Sequence, residues 1–212
     1  MALTTAQSLQ PAGFTQSRLL QSLAVLYAGV WIWSAIAPVD RSDWLLENIL
    51  VVAGVGTAIW VYRARPLSAV SSILLTAFMM LHSVGSHYTY SLVPAGDWLK
   101  TIFGFERNHY DRVIHFGFGF LLVYPVREML LRKDAALKKW AGLLAFTIIG
   151  TCSGIYEQME WFAAATVDPA SGQAFLGTQG DVFDSQKDEC LAMLGALVAL
   201  LITRLAESRR RA

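Results

Sequence analysis

Charged residues are scarce in this chain, and that scarcity excludes most classes of soluble protein. Asp, Glu, Lys and Arg make up 16% of the 212 residues, whereas a typical soluble domain has about 25%. Hydrophobic residues make up 55%, and the mean hydropathy is +0.44. A 23.4 kDa chain with so few charges has too little polar surface to cover itself in water. The composition therefore indicates an integral membrane protein.

Net charge and cysteine content are low as well. A formal net charge of +1 argues against electrostatic binding of nucleic acid, and no zinc-knuckle or basic-arm motif is present. The two cysteines, Cys152 and Cys190, form no CxxC motif and are too few for a disulfide framework. Both lie in apolar stretches, where the expected role is that of a small packing residue.

Six hydrophobic stretches are long enough to cross a membrane as helices, which takes about 20 mostly apolar residues. They are Leu19–Ala37, Trp44–Tyr62, Leu67–Tyr90, Tyr110–Leu131, Leu137–Ala165 and Asp188–Leu205. The first stretch is as long as a full span and lacks a small-x-small cleavage motif, so we do not expect a cleaved signal peptide. No linker or clear repeat divides the chain. The sequence therefore predicts one all-α domain over residues 1–212, an integral membrane bundle of six transmembrane helices.

Lysine and arginine are divided unequally between the two ends of these spans. Of the 17 basic residues, five lie on one side and twelve on the side of the chain termini. The five are Arg41, Lys100, Arg107, Arg112 and Lys187. Because basic residues concentrate in cytoplasmic segments, both termini are predicted to be cytoplasmic in a bacterial inner membrane.

In this orientation, ionisable side chains from five of the six spans reach one depth in the outer half of the membrane. They are Glu47 in the second span, His82 and His87 in the third, Asp111 and His115 in the fourth, Glu157 and Glu160 in the fifth, and Asp184 and Asp188 at the sixth. An ionisable group at mid-bilayer costs about 2.5–3.5 kcal/mol and usually faces the bundle interior. Residues three or four apart share a helical face, whereas His82 and His87 are five apart. We therefore expect only one of these two histidines to face the common centre.

Carboxylates and imidazoles that converge from several helices are typical of a metal site. The predicted ligands are His87, Asp111, His115, Asp184 and Asp188, with Glu47, His82 and Asp181 as additional candidates. Mixed nitrogen and oxygen donors suit a divalent Zn, Mn or Fe ion. Glu157 and Glu160 are the predicted catalytic residues, one of them as general base. A metal-activated water in the outer half points to hydrolysis or transfer on a lipid or lipid-linked substrate.

Two other functions fit the same residues. A small ion- or proton-coupled transporter relays ions through such groups, although the inner half has few polar residues. A non-catalytic membrane protein uses the cluster to stabilise its bundle or to bind a partner. Among single residues, Asp111 can cap its helix or pair with Arg107 or Arg112, Asp181 can be a turn residue, and His82 can be a hydrogen-bonded packing residue.

Two glycine-containing segments have predicted structural roles. Gly117-Phe118-Gly119-Phe120 places small residues within the fourth span, where they are expected to allow close helix packing. Segment Gly177–Gly180 permits a tight turn. Such a turn is expected to fold the acidic loop before the sixth span back over the site.

Four segments resemble the YjdF-like family of bacterial inner-membrane proteins. They are His82–Trp98, Arg107–Glu128, Tyr156–Trp161 and Ala174–Asp188. The second contains Asn-His-Tyr-Asp-Arg-Val-Ile-His-Phe-Gly-Phe-Gly-Phe, and with the spans the resemblance covers roughly Leu19 to Leu205. The resemblance implies a small multi-spanning inner-membrane protein. It brings no reaction, substrate or ligand residue with it, so the predicted site depends on the residues named above.

Overall fold

The computed structural model describes residues 14–64, 66–167 and 169–209. Within these ranges the chain forms eight α-helices, namely α1 (Arg18–Ala35), α2 (Arg41–Ala64), α3 (Ala69–His87), α4 (Pro94–Phe103), α5 (Tyr110–Lys133), α6 (Ala141–Thr166), α7 (Pro169–Leu176) and α8 (Asp184–Arg209). Short 3-10 turns at Phe14–Gln16 and Ala135–Lys139 precede α1 and α6. The described residues contain no strand. The predicted all-α class is therefore confirmed.

Local sequence determines where several helices begin and end. Ser17 and Ser68 cap α1 and α3, each accepting a hydrogen bond from the backbone N–H three residues further on. Helix α4 begins at Pro94, where the missing proline N–H has no intrahelical partner to lose. It ends at Phe103, and the next residue, Gly104, caps it with a φ of +69°, which glycine adopts readily.

The long helices α1, α2, α3, α5, α6 and α8 alternate in direction along the chain. Two ion pairs show that α5 and α8 run parallel. Arg112 pairs with Asp184 near the start of both helices at 2.5 Å, and Arg127 pairs with Glu207 near their ends at 2.9 Å. We call the end of the bundle that contains Arg112 the cluster end.

The opposite end is fastened by the carboxylate of Glu128, late in α5. It accepts hydrogen bonds from the backbone N–H and hydroxyl of Ser68, at 2.9 and 2.7 Å, and from the Ser71 hydroxyl. Arg132 donates to the same carboxylate at 2.7 Å. Helix α3 therefore begins where α5 ends, and the two helices are antiparallel.

Helices α5 and α8 cross so closely near the cluster end that the backbone of each helix contacts that of the other. A Cβ atom on Gly119 would overlap the Ala192 carbonyl, and one on Gly195 would overlap the Phe116 carbonyl. The expected close packing is thus confirmed for Gly119. Gly117, two residues earlier, has nothing within 4 Å of the same hypothetical atom.

Beyond this crossing, an apolar layer fills the bundle between α5, α6 and α8. Its buried members are Val123, Ala145, Ile149, Ala196 and Ala199. The layer lies between the cluster end and the end held by the Arg127–Glu207 pair. Small side chains on α6 and α8 allow the three helices to approach closely.

Four helices of the described chain are long and apolar enough to cross a membrane by length and composition. They lie at Arg41–Arg63, Ala69–His87, Tyr110–Lys133 and Asp184–Arg209. Helices α1 and α6, with 18 and 26 residues, are also predicted spans, but polar residues such as Arg18, Glu157 and Glu160 lower their hydropathy. The membrane-spanning character is therefore supported by four helices, while the count of six, the single domain and the orientation stay predictions.

The structure differs from the predicted boundaries at three places. The segment between the third and fourth predicted spans contains α4, whose 10 residues are too few to be recognised as a span. Helix α6 begins at Ala141 because the preceding residues form a 3-10 turn. Helix α8 begins at Asp184 rather than Asp188, since acidic residues are favourable in a first helical turn although they end a hydrophobic stretch.

Candidate functional site

The site is built on the first turns of α5 and α8, which start side by side at the cluster end. Helix α5 contributes Asp111, Arg112 and His115, and α8 contributes Asp184 and Asp188. Within each helix the four-residue spacing puts the acids or the acid and imidazole on one face. Because the two helix backbones cross closely just beyond these turns, the two faces meet within ion-pair distance.

Arg107 and Arg112 hold two of the acidic residues. One oxygen of Asp184 is 2.5 Å from a guanidinium nitrogen of each arginine. Arg112 also donates to Asp181 at 2.9 Å, and Arg107 donates to the Thr178 carbonyl at 3.0 Å. Asp184 and Asp181, which the sequence analysis predicts as candidate metal ligands, therefore form ion pairs with the two arginines in the structure. We call Arg107, Arg112, Asp181 and Asp184 the arginine network.

Hydrogen bonding keeps Asp181 ionised in the loop before α8. A hydrogen bond from Lys187 at 2.6 Å is the largest cause, followed by one from the backbone N–H of Phe183, and they lower the pKa of Asp181 to about 2. Nearby, burial and the positive charges of the two arginines lower the pKa of His109. Asp181 is thus a fixed anion that anchors the loop, and His109 is favoured as a neutral ring.

The loop before α8 folds back onto the start of α5. Gly177, Gln179 and Gly180 have φ values of +58°, +48° and +88°, which is the left-handed conformation that glycine adopts most easily. The Gln179 side chain accepts from the backbone N–H of Asn108 and donates to its carbonyl, each at 3.0 Å. The expected fold-back of this loop is therefore confirmed.

A second group of side chains surrounds His115. The ligand atoms of Asp111, His115 and Asp188 all lie within 4.8 Å of one another. The Nε2 atom of His115 is 3.5 Å from Asp111 Oδ1 and 3.5 Å from Glu157 Oε1. We call Asp111, His115, Glu157 and Asp188 the His115 group. Three of its four members are buried, so the sequence prediction that they converge inside the bundle is realised in the fold.

Two carboxylate oxygens of the His115 group have no hydrogen-bond partner among the described residues. They are Glu157 Oε1 and Asp188 Oδ1, both buried. The Arg112 Nε atom lies 3.3 Å from Asp188 Oδ1, within ion-pair distance but not in hydrogen-bond alignment. A buried carboxylate oxygen without a donor is unfavourable, and a cation relieves this penalty. Two carboxylates and an imidazole also form a donor set that suits Zn, Mn or Fe.

Glu47 and His82 form a separate pair beside the His115 group. The Tyr156 hydroxyl donates to the Glu47 carboxylate at 3.2 and 3.3 Å, and the Tyr156 ring centroid is 5.8 Å from that of His115. The Nε2 atom of His82 is 3.9 Å from Glu47 Oε2, and its Nδ1 atom lies 2.6 Å from the Tyr90 hydroxyl. Of the three additional candidates, Glu47 is therefore adjacent to the His115 group through Tyr156 and His82 is adjacent to Glu47, but neither belongs to the group.

The two remaining predicted site residues have different surroundings. The Glu160 side chain lies beside the Tyr156 hydroxyl, one helical turn from Glu157. His87 places its Nδ1 atom 3.0 Å from the Ser34 carbonyl oxygen and stacks on Trp33 with centroids 4.5 Å apart. It joins α3 to α1, and the structure does not bring it to the His115 group.

Three residues build the site although the sequence does not predict their roles. Arg107 and Arg112 bind acids of the α8 segment, whereas from the sequence they are candidate partners of Asp111. The spacing of residues along the sequence does not identify an ion-pair partner that lies on another helix. Tyr156 links Glu47 to the His115 group. The sequence offers a signal for this role, because the hydroxyl of a tyrosine inside a predicted span normally needs a hydrogen-bond partner.

Comparisons with known proteins agree with the membrane-protein fold. The family described as "Predicted membrane protein (DUF2238)" matches residues 19–209. Inner membrane protein YjdF of Escherichia coli K12 is 32% identical over 196 residues, which cover 92% of this chain and 90% of that protein. NADH-quinone oxidoreductase subunit N 1 of Solibacter usitatus is 32% identical over 121 residues, covering 56% of this chain but 24% of that protein. No solved structure matches the chain significantly.

Proposed function

Since the chain belongs to the YjdF-like family of predicted membrane proteins, we propose that it is an inner-membrane protein that binds one divalent cation in its His115 group and acts on a lipid-linked substrate. Asp111, His115 and Asp188 are the proposed ligands, and Glu157 is the proposed general base. One observation carries this proposal. Buried oxygens of Glu157 and Asp188 lie around an imidazole and lack hydrogen-bond donors among the described residues.

The distribution of charge supports a cation at this position. In the arginine network two guanidinium groups and the ammonium group of Lys187 face two aspartates, so no excess of negative charge remains there. The His115 group holds three carboxylates around one imidazole. Closely spaced buried carboxylates repel one another, and a bound divalent cation offsets that repulsion.

The donor set supports a hydrolytic or transfer reaction. An ion with three protein ligands has a position for water, and a divalent ion makes that water a better nucleophile. In the proposed hydrolysis, the water oxygen bonds to the phosphorus or acyl carbon of the substrate while Glu157 accepts a proton. When the ester bond breaks, Glu157 returns this proton to the departing oxygen. Glu160, beside Tyr156, is the second candidate base.

Apolar side chains next to the site support a lipid-linked substrate. Val182 and Phe183 are 84% and 62% exposed and lie between Asp181 and Asp184 in the chain. Such side chains favour the boundary between lipid headgroups and acyl chains.

The distribution of lysine and arginine further supports cytoplasmic termini and an outward-facing cluster end. Fusions of the C-terminus to reporters that function on one side of the membrane test this orientation.

The transport alternative has less support. The apolar layer of Val123, Ile149 and their neighbours separates the cluster end from the opposite end of the described bundle. A relay of ions needs a succession of polar groups across that depth. The polar contacts instead extend sideways, from the His115 group through Tyr156 to Glu47.

Metal analysis of the detergent-purified protein tests the proposed site. After incubation with Zn, Mn or Fe ions and removal of the excess, we expect about one ion per chain, since one three-ligand site is proposed. His115→Ala and Asp188→Asn should each lose at least about tenfold in metal affinity. His109→Ala is the matched control, since it removes an imidazole six residues earlier in the chain. Gel filtration of each variant reports whether it is folded.

Failure to bind any of the three ions would refute the proposal, as would full retention of the ion by both site variants. A folded Glu157→Gln variant that keeps its ion but loses release of a phosphoester or acyl-ester lipid probe would support the role as base. An unaffected rate in this variant would exclude Glu157 from that role.

A further inference from the structure

Helix α4 lies at the cluster end and cannot cross the membrane. It is connected by six residues to the end of α3 and by six to the start of α5, and both of these points are at the cluster end. Its 10 residues give a length of about 15 Å, against a hydrocarbon thickness of about 30 Å. The helix is therefore held at the level where the bundle meets the membrane surface.

Three large apolar side chains of α4 are exposed. At 100° per residue, Ile102 lies about 40° from Trp98 on the same arc, and Phe103, the last residue of the helix, lies about 100° beyond Ile102. The side chains of Trp98, Ile102 and Phe103 are 69%, 72% and 63% exposed. Asp97 and Lys100 lie on the opposite arc. The helix is thus amphipathic, with its large apolar side chains left uncovered by the described chain.

Asn108 binds the opposite side of α4 to the bundle. Its side-chain amide donates to the Val93 carbonyl at 2.9 Å and to Asp97 at 3.0 Å, and it packs so closely on Gly96 that a Cβ there would overlap it. Its amide oxygen accepts from the Tyr110 N–H at 3.0 Å. Because the arc with Gly96 and Asp97 faces the bundle, the arc with Trp98 and Ile102 faces away from it.

We propose that α4 is an interfacial anchor that lies in the plane of the membrane at the cluster end, with Trp98, Ile102 and Phe103 in the headgroup–acyl boundary. The lipid surface is the occupant that the observations favour, since α3 and α5, the candidate spans that flank α4 in the chain, both have an end beside it. Tryptophan is enriched at that boundary, and the exposed Lys100 can bind lipid phosphates. This inference is independent of the proposed metal site.

Collisional quenching of a fluorescent label tests the anchor. The native Cys152 and Cys190 are replaced by serine, and Trp98→Cys or Lys100→Cys is labelled with a nitrobenzoxadiazole probe. The proteins are reconstituted in phosphatidylethanolamine–phosphatidylglycerol vesicles that contain lipid with a shallow nitroxide. We expect the ratio of nitroxide quenching to aqueous iodide quenching to be at least about fivefold higher at position 98 than at position 100.

Equal ratios at the two positions, or preferential quenching of position 98 by iodide, would overturn the proposal. Protection of position 98 from both quenchers would also overturn it, because another protein surface, such as a second copy, would then cover α4. If Trp98→Cys does not fold, Ile102→Cys on the same arc replaces it in the comparison.

Discussion

Replacing Gly119 by alanine tests the close crossing of α5 and α8, on which the geometry of the site depends. The added Cβ atom would overlap the Ala192 carbonyl oxygen and would lie 2.7 Å from the Ala192 carbonyl carbon and 2.8 Å from the Ala196 nitrogen. Carbon atoms pack comfortably at about 3.5–4.0 Å. The two helices must therefore separate by about 1 Å or distort locally.

Two opposing effects determine how much Gly119→Ala changes the free energy of unfolding. Overpacking in a well-packed interior costs about 1–3 kcal/mol, and alanine regains about 0.5–1 kcal/mol over glycine in a helix. Gly119→Ala should therefore lower the free energy of unfolding by about 1–2 kcal/mol. Gly117→Ala is the matched control, since its added atom has nothing within 4 Å, and it should be neutral or slightly stabilising. A difference of about 2 kcal/mol corresponds to about 4–8 °C in Tm for a chain of this size.

The assay is thermal unfolding of both variants in detergent, followed by loss of the monodisperse gel-filtration peak. Gly195→Ala supplies a second test from the facing helix, because its Cβ would overlap the Phe116 carbonyl. The double variant Gly119→Ala/Gly195→Ala should be less destabilised than the sum of the singles, since one separation relieves both overlaps. Equal Tm values for Gly119→Ala and Gly117→Ala would refute the backbone-level crossing.

Two further predictions concern the segments that cover the cluster end. Asn108→Ala leaves the Asp97 carboxylate and the Val93 carbonyl without an amide donor and should lower the free energy of unfolding by about 1–3 kcal/mol. Proteolysis within residues 94–106 should be faster in this variant than in the control Glu106→Ala. Equal rates would contradict the prediction. The pKa of Asp181 is lowered from 3.8 to about 2, so its contribution to loop stability is present above about pH 4 and is lost as the pH falls through 2. The amide protection factors of residues 177–184, which are corrected for the intrinsic pH dependence of exchange, should fall over that window in the wild type but not in Asp181→Asn. A fall retained in the variant would assign the effect to another group.

The helical class was predictable because hydropathy alone determines it. Long apolar stretches in a chain with 16% charged residues leave few alternatives. The hydropathy criterion does not identify α4, because a helix of 10 residues is shorter than a membrane span. Its local signals were present, with Pro94 at the start, Gly104 at the end and apolar residues at helical spacing between them.

The composition of the site was predictable only in part, because the spacing of residues along one helix does not specify which residues of a neighbouring helix they meet. Asp184 and Asp188 lie on one face of α8, one helical turn apart, yet Asp184 meets two arginines and Asp188 meets His115. Their different partners follow from the axial register of α8 against α5, which the contact at Gly119 and Gly195 helps to determine. That contact joins residues about 75 positions apart in the sequence, beyond the reach of any local pattern.

The arginine network and the His115 group lie side by side but differ in charge balance, and this difference separates their roles. The network pairs cations with anions, as expected of groups that hold helices together. The His115 group has an excess of carboxylates and two oxygens without donors. Arg112 touches both, since its Nε atom is 3.3 Å from Asp188. The network therefore positions one proposed ligand, and a change in it should alter the His115 group without removing any of its members.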